Sequence, residues 1–312
     1  MERRRLGRSG LSVSCVCLGC WQAGGVGWGE VSDQEIEKAI KIAINELDIN
    51  FVDTADVYGY GHSEEVVGKA LKGLRDKVIL ATKVGLRWNG KQKSWNDLSR
   101  NYILKQIDES LTRLQTEYVD LYQAHWPDSK TSIEELTDAF ETLCEKGKIR
   151  WWGVSNFSVE MISKIIDLGA KHFTSVQPPY NLLERSIEKD ILPFCRKNNI
   201  SVIVYSPLAM GLLTGKYKEE PKFEGFDWRN LYEYFRGKKF KDALEGIEKI
   251  TPFKDKYNAT YSQIAISWIL KTDGITSAIV GFKNENQIRE TSKIIQIEDE
   301  DYKLIAEAFS KK

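Results

Sequence analysis

Eight short apolar runs recur along the chain, each separated from the next by a longer polar or amphipathic stretch. They are VCLG (16–19), NFVD (50–53), VILATK (78–83), VDLYQAH (119–125), IRWWGVSN (149–156), TSVQ (174–177), SVIVYSP (201–207) and TSAIVG (276–281). Runs of this length and composition read as strands. The helices predicted between them include 32–47, 63–73, 99–115, 132–146, 158–168 and 186–198, with Ser32 before DQE and Ser132 before IEE as capping residues. Eight such repeats give an α/β fold, a (β/α)8 TIM barrel, with long loops at the C-terminal face of the strands. No linker or shift of composition interrupts the beat, so residues 1–312 are expected to form one domain.

An open doubly wound sheet would instead announce itself by G-x-G-x-x-G directly after its first strand. The nearest match, GGVGWG (24–29), has the wrong spacing and no strand immediately before it, and reads better as a flexible lid over the barrel mouth. The opening residues resemble a secretory leader only superficially. Their apolar part is broken by Ser12 and Ser14 and lacks a small-x-small cleavage site before Trp21, so a short hairpin leading into the first strand is expected.

Hydrophobic residues at 42% and charged residues at 29% suit a globular protein with ample core. Lys and Arg total 45, as do Asp and Glu, and neither sign forms a block, so nothing favours nucleic acid or an anionic membrane as a partner. No apolar run reaches the length of a bilayer span. Cys17 and Cys20 form a C-x-x-C, but the other cysteines (15, 144 and 195) supply no second pair; small apolar residues along a strand, in a reducing cytoplasm, is the expectation.

Catalytic residues of such barrels project from the C-terminal ends of the strands. Three successive strands here end in Asp53, Lys83 and His125, and Tyr58 follows Asp53 by five residues. Each taken alone has an ordinary structural reading; arriving together at one face they read as a site. A free phenol, with a pKa near ~10, exchanges protons poorly at neutral pH. A lysine beside it is expected to lower that value, and a carboxylate beside the lysine to keep it charged. Asp53, Lys83 and Tyr58 thus make a tuned proton donor, and His125 can donate a hydrogen bond to an oxyanion. The three histidines (62, 125 and 172) show no metal-ligand spacing, so no metal is expected. His62 is placed at a helix entrance, outside the chemistry.

At these residues the sequence resembles the aldo-keto reductases. The resemblance runs through LGRSGL, FVDTADVYG, ATKVG, SLTRLQTEYVDLYQAHWPD, KGKIRWWGVSNFS, QPPYNLLER, YSPLAMGLLTGKY and IVGFKNENQIRE, and so covers nearly the whole chain. Its style is that of the bacterial and archaeal branch that also holds the potassium-channel β subunits. The resemblance implies a catalytic tetrad of Asp53, Tyr58, Lys83 and His125, with hydride delivered by NADPH. It also implies cofactor contacts. Ser155, Asn156 and Gln177 face the nicotinamide carboxamide, Tyr205 stacks on the ring, and Trp21 and Asp53 lie against the same cofactor. Ser206, Leu208, Gly211 and Lys216 embrace the pyrophosphate, with Arg229 a further basic contact, and Gly281, Lys283, Gln287 and Glu290 meet the adenosine end. Thr291 stands where the family usually has Asn, which is expected to weaken adenine contacts. Lys283 favours NADP(H) over NAD(H) if it meets a 2′-phosphate, and is otherwise a solvated surface lysine.

Six of the nine tryptophans (21, 28, 88, 95, 126 and 228) follow strands 1, 3, 4 and 7, so the mouth is expected to be aromatic and largely apolar. Trp21 and Trp126, with Tyr58 and His125, are expected to contact substrate; the other four either line the mouth or pack its loops. The function expected is NADPH-dependent reduction of a small aldehyde or ketone, in the cytoplasm. Two alternatives stand beside it: an alcohol or polyol dehydrogenase running the reverse reaction, and a nicotinamide-sensing regulatory subunit like those of channels. The retained histidine and the absence of an N-terminal extension lean against the latter. The sequence names no particular substrate and shows no heptad or interface strand from which to read an oligomeric state.

Overall fold

All eight apolar runs form strands. The computed structural model describes residues 1–89 and 94–310. Its strands are β1 (Arg3–Arg5), β2 (Ser12–Ser14), β3 (Val16–Gly19), β4 (Phe51–Asp53), β5 (Ile79–Val84), β6 (Leu86–Trp88), β7 (Ser94–Asn96), β8 (Val119–Ala124), β9 (Ile149–Ser155), β10 (Phe173–Gln177), β11 (Ser201–Val204) and β12 (Ile275–Gly281). The helices are α1 (Asp33–Asn45), α2 (His62–Ala70), α3 (Arg100–Leu114), α4 (Ile133–Glu145), α5 (Val159–Asp167), α6 (Ile191–Lys197), α7 (Gly237–Lys249), α8 (Thr251–Tyr257), α9 (Tyr261–Lys271), α10 (Glu285–Thr291) and α11 (Asp299–Ala308). Strands β3, β4, β5, β8, β9, β10, β11 and β12 pair in chain order, and β12 returns to β3, closing a parallel barrel. The fold is therefore the (β/α)8 barrel.

The expected hairpin is β1 paired antiparallel with β2, Arg3 opposite Ser14. It lies across one end of the barrel. Leu6 and Val13 are fully buried against the inward side chains Cys17, Phe51, Ala81, Leu121 and Ile203, so that end is closed by an apolar floor.

Caps and boundaries follow local chemistry. Ser32 and Ser132 accept from the backbone of Glu35 and Glu135, as their positions suggest. The run 201–207 stops being strand at Val204, because the Tyr205 amide turns to the Pro178 carbonyl and Ser206 takes a φ of 54°. The single helix expected over 186–198 is a short 3-10 turn (Ser186–Glu188) followed by α6. Pro193 explains the late start: lacking an N–H, it is tolerated only in a first turn. All five cysteines are free; Cys15, Cys17, Cys20 and Cys195 are buried and Cys144 partly so.

On the outer face, Glu64 of α2 is fully buried. It accepts 2.6 Å from the Thr82 hydroxyl of β5 and 2.7 Å from the Arg113 guanidinium of α3, clamping two helices to the strand. Removing one partner of a buried pair costs more than removing both, since a lone charge is left in a dry site. Arg113→Met is expected to destabilise the fold by ~3–5 kcal/mol in urea unfolding, and adding Glu64→Gln to recover most of it. Equal stability of the single and double variants would contradict this.

Candidate active site

Side chains of a strand alternate between the two faces, so register decides which residues share a layer. Asp53 is level with Gly19 and Ala81, and Lys83 with Gln123 and Gly153. Register leaves Asp53 level with Ala81 of the apolar floor and Lys83 with Gln123 above it, and hydrogen bonds draw Asp53, Lys83, Gln123 and Gln177 into one polar cluster. Lys83 has no exposed surface. Its Nζ donates 2.5 Å to Asp53 Oδ1, 2.9 Å to the Thr54 carbonyl and 3.3 Å to the Tyr58 hydroxyl. Asp53 Oδ2 accepts from the amides of Gln123 (3.2 Å) and Gln177 (3.0 Å). Burial works against the lysine's charge, but Asp53 and Tyr58 more than offset it, and the ammonium stays above its usual pKa.

Tyr58 is held by its backbone. Gly59 and Gly24 meet so closely that a Cβ on Gly59, whose φ is +61°, would fall 2.1 Å from the Gly24 carbonyl oxygen. Trp21 stacks on the Tyr58 ring at 5.8 Å, and His125 meets it edge-on at 5.7 Å. The expected lowering of the phenol is not found. Burial raises it; Lys83 pulls it down and Asp53 pushes it up, and the net value is above that of a free phenol. An ammonium already matched by a carboxylate offsets only part of the desolvation, so Tyr58 is a neutral phenol that holds its proton. Burial and the Lys83 cation hold His125 well below the ordinary imidazole value, so it too is neutral, and its Nδ1 is buried without a partner among the described residues.

Tyr58 and His125 open into a cavity of about 830 Å³, within the range of cofactor and substrate sites. Every residue expected to act in catalysis or to contact cofactor or substrate lines it except Lys83, which lies beneath the surface. At its inner wall the Ser155 hydroxyl donates 2.7 Å to the Gln177 carbonyl. Asn156, at a φ of 64°, donates to Ser155 and to the His125 carbonyl and accepts 2.9 Å from the Tyr205 hydroxyl. Non-glycine residues in this backbone region are uncommon and cluster at functional sites; Ser206 (φ 54°) and Met210 (φ 53°) continue the theme in the loop after β11. Leu208, Gly211 and Lys216 follow along the same loop.

Gly281, Lys283, Gln287, Glu290 and Thr291 form the other wall. Gln287 accepts 2.8 Å from the Lys283 amide, Glu290 accepts 2.8 Å from Thr260, and Thr291 gives its hydroxyl to the Gln287 carbonyl within α10. Lys283 is pushed below its ordinary pKa by burial and by the facing cations Arg229 and Lys216. Arg229 is held by Asp227 through two nitrogens and stacks on Phe223.

The glycine-rich segment 24–29 does cross the mouth. Trp228 donates to its Val26 and Gly27 carbonyls (3.0 and 3.1 Å), and Lys283 Nζ is hydrogen-bonded to the Trp28 carbonyl. Trp21, Trp28, Trp126 and Trp228 line the cavity, whereas Trp88 packs on Tyr60 and Trp95 lies under Arg87. His62 sits at the start of α2, paired with Asp33 at 2.9 Å, outside the site.

Sequence reasoning missed Gln123 and Gln22. The first was visible: in VDLYQAH the inward positions are Leu121, Gln123 and His125, and an inward amide in an apolar run requires partners. Gln22 carried no such signal, lying in a short 3-10 turn (Gln22–Gly24) outside the strand pattern; its buried Oε1 has no partner among the described residues. Among those residues no group of three or more His, Cys, Asp and Glu side chains is arranged to hold a metal ion, and no helix is long and apolar enough to cross a membrane.

The aldo/keto reductase family model matches residues 15–309. Aldo-keto reductase YhdN of Bacillus subtilis is 40% identical over 94% of this chain and 88% of its own length. A probable voltage-gated potassium channel β subunit of Arabidopsis thaliana is 32% identical over 95% of this chain and 92% of its own. Among solved structures, glycerol dehydrogenase AKR11B4 of Gluconobacter oxydans superposes with a TM-score of 0.89 at 36% identity, covering 98% of this chain and 94% of that one. Aldo-keto reductase AKR11C1 of Bacillus halodurans, in its holo form, gives 0.83 at 29%, covering 99% and 96%. With a family model spanning almost its full length and relatives alike from end to end, the chain belongs to the aldo/keto reductase family.

Proposed function

We propose that the chain is a single catalytic domain that reduces aldehydes and ketones to alcohols with NADPH, in the cytoplasm. The observation that carries this reading is the Tyr58 hydroxyl, neutral and proton-bearing, 3.3 Å from a buried ammonium at the floor of a large cavity. The donor set suits a dinucleotide. Lys216, Arg229 and Lys283 gather positive charge that a polyanion would relieve, and Ser155, Asn156 and Gln177 form an amide-rich wall.

When bound, the reduced nicotinamide supplies the hydride. The chain does the rest. Tyr58 gives its proton to the carbonyl oxygen, Lys83 steadies the charge this leaves on the phenolate, and Asp53 holds Lys83 in place. The neutral His125 orients the carbonyl by hydrogen bonding. Trp21, Trp28, Trp126 and Trp228 exclude water and offer apolar faces but no counter-ion, which favours uncharged substrates with aromatic or alkyl groups. The same residues run the reaction in reverse, and the likeness to a glycerol dehydrogenase supports a second reading, in which an alcohol is oxidised. The likeness to channel β subunits carries less weight, since both Tyr58 and His125 are in place.

Tyr58→Phe should lower kcat for aromatic aldehyde reduction by ~10²–10⁴, with cofactor Kd nearly unchanged; retained turnover would refute the proton-donor role. The pH profile follows from the two neutral groups. Reduction needs the Tyr58 proton and is lost as pH rises through a pKa above ~10, while His125 stays neutral, so kcat should be flat from about pH 6 to 9. An inflection near 6.5 would show that His125 titrates. Lys283→Met should weaken NADP(H) by roughly 10–100-fold and leave NAD(H) nearly unaffected; equal losses would place Lys283 away from the 2′-phosphate.

A further inference from the structure

Gln123 is fully buried inside the barrel and does not line the cavity, so no ligand reaches it. It nonetheless completes a closed set of hydrogen bonds. Its Nε2 donates 3.2 Å to Asp53 Oδ2, and its Oε1 accepts 3.1 Å from Gln177 Nε2, which also donates 3.0 Å to Asp53 Oδ2. A primary amide has two N–H groups. Both of Gln177's are thereby used, one on Asp53 and one on Gln123. Its Oε1, with no hydrogen-bond donor among the described residues, is the atom left to the cavity that Gln177 lines.

We infer that Gln123 is a positioning residue that sets which atom of Gln177 faces the ligand and ties that choice to the state of the proton donor. Gln123 cannot accept from Gln177 unless Gln177 presents its nitrogen inward, so a flip of Gln177 would break two hydrogen bonds and set its oxygen against the carboxylate of Asp53. Outward, the wall therefore offers an acceptor to a ligand amide N–H. Inward, two amide dipoles spread the charge of Asp53, whose other oxygen holds Lys83 and which stands close enough to raise the Tyr58 phenol. With one dipole removed, Asp53 is less compensated and Tyr58 rises further. One buried side chain thus acts on cofactor affinity and on the proton donor, although it touches neither cofactor nor Tyr58. The inference rests on the proposed oxidoreductase function.

Gln123→Met keeps the length of the side chain and removes both polar ends. NADP⁺ affinity, read by quenching of tryptophan fluorescence, should fall about tenfold. The pH midpoint of alcohol oxidation, which needs the Tyr58 phenolate, should move up by about one unit. Gln123→Glu provides a second test if the methionine variant folds poorly. Its carboxyl donates to Asp53 only while protonated, so affinity should approach wild type at low pH and decline as pH rises. A Gln123→Met protein with unchanged affinity and profile, whatever its melting temperature, overturns the inference while leaving the functional reading intact. So does a Gln123→Glu protein whose affinity follows the wild-type pH dependence. A wild-type protein that binds neither NADP(H) nor NAD(H) overturns both.

Discussion

An ammonium with no exposed surface is tolerable only where charge and hydrogen-bond acceptors meet it, and the Lys83–Asp53 pair organises the interior of this barrel accordingly. One carboxylate oxygen neutralises the lysine, and the other must then be satisfied in a dry site, which places the two glutamine amides beside it. The Thr54 carbonyl takes a second lysine proton. What remains of the lysine's field falls on Tyr58. The apolar layer below, closed by Leu6 and Val13, keeps water from screening the pair.

The cavity above has two electrostatic regimes. Tyr58 responds to Lys83 and Asp53, whose charges largely cancel, and both it and His125 are neutral. Lys283 responds to Arg229 and Lys216, which repel it. A ligand that is anionic along one part and uncharged at its reacting part matches this division in only one orientation, so the same charge pattern that attracts it also aims it.

Much of this was legible in the sequence because strands and their ends obey short-range rules. Asp53, Lys83 and His125 could be placed at one face by counting runs, and the caps at Ser32 and Ser132 by residue type. Tyr58 was found because it follows Asp53 by five residues, a spacing that a loop can absorb without leaving the mouth. The direction of its pKa was not legible: a list of neighbours names the lysine that lowers it, but the larger effect is burial, which only packing reveals. Gln123 was overlooked because its importance lies in partners 70 and 54 residues away. The break at Ile191 turned on Pro193, a local rule that the periodicity of 186–198 concealed.

The hairpin β1–β2 has a consequence for traffic. It adds an apolar stopper beneath a barrel interior already packed with side chains, so the cavity is a cup rather than a tube, and Trp21, Trp28, Trp126 and Trp228 narrow its rim. In a cup there is no through-flow: two molecules that share it must arrive and depart by the same way. A pair bound one above the other would therefore bind in order, the deeper one first in and last out.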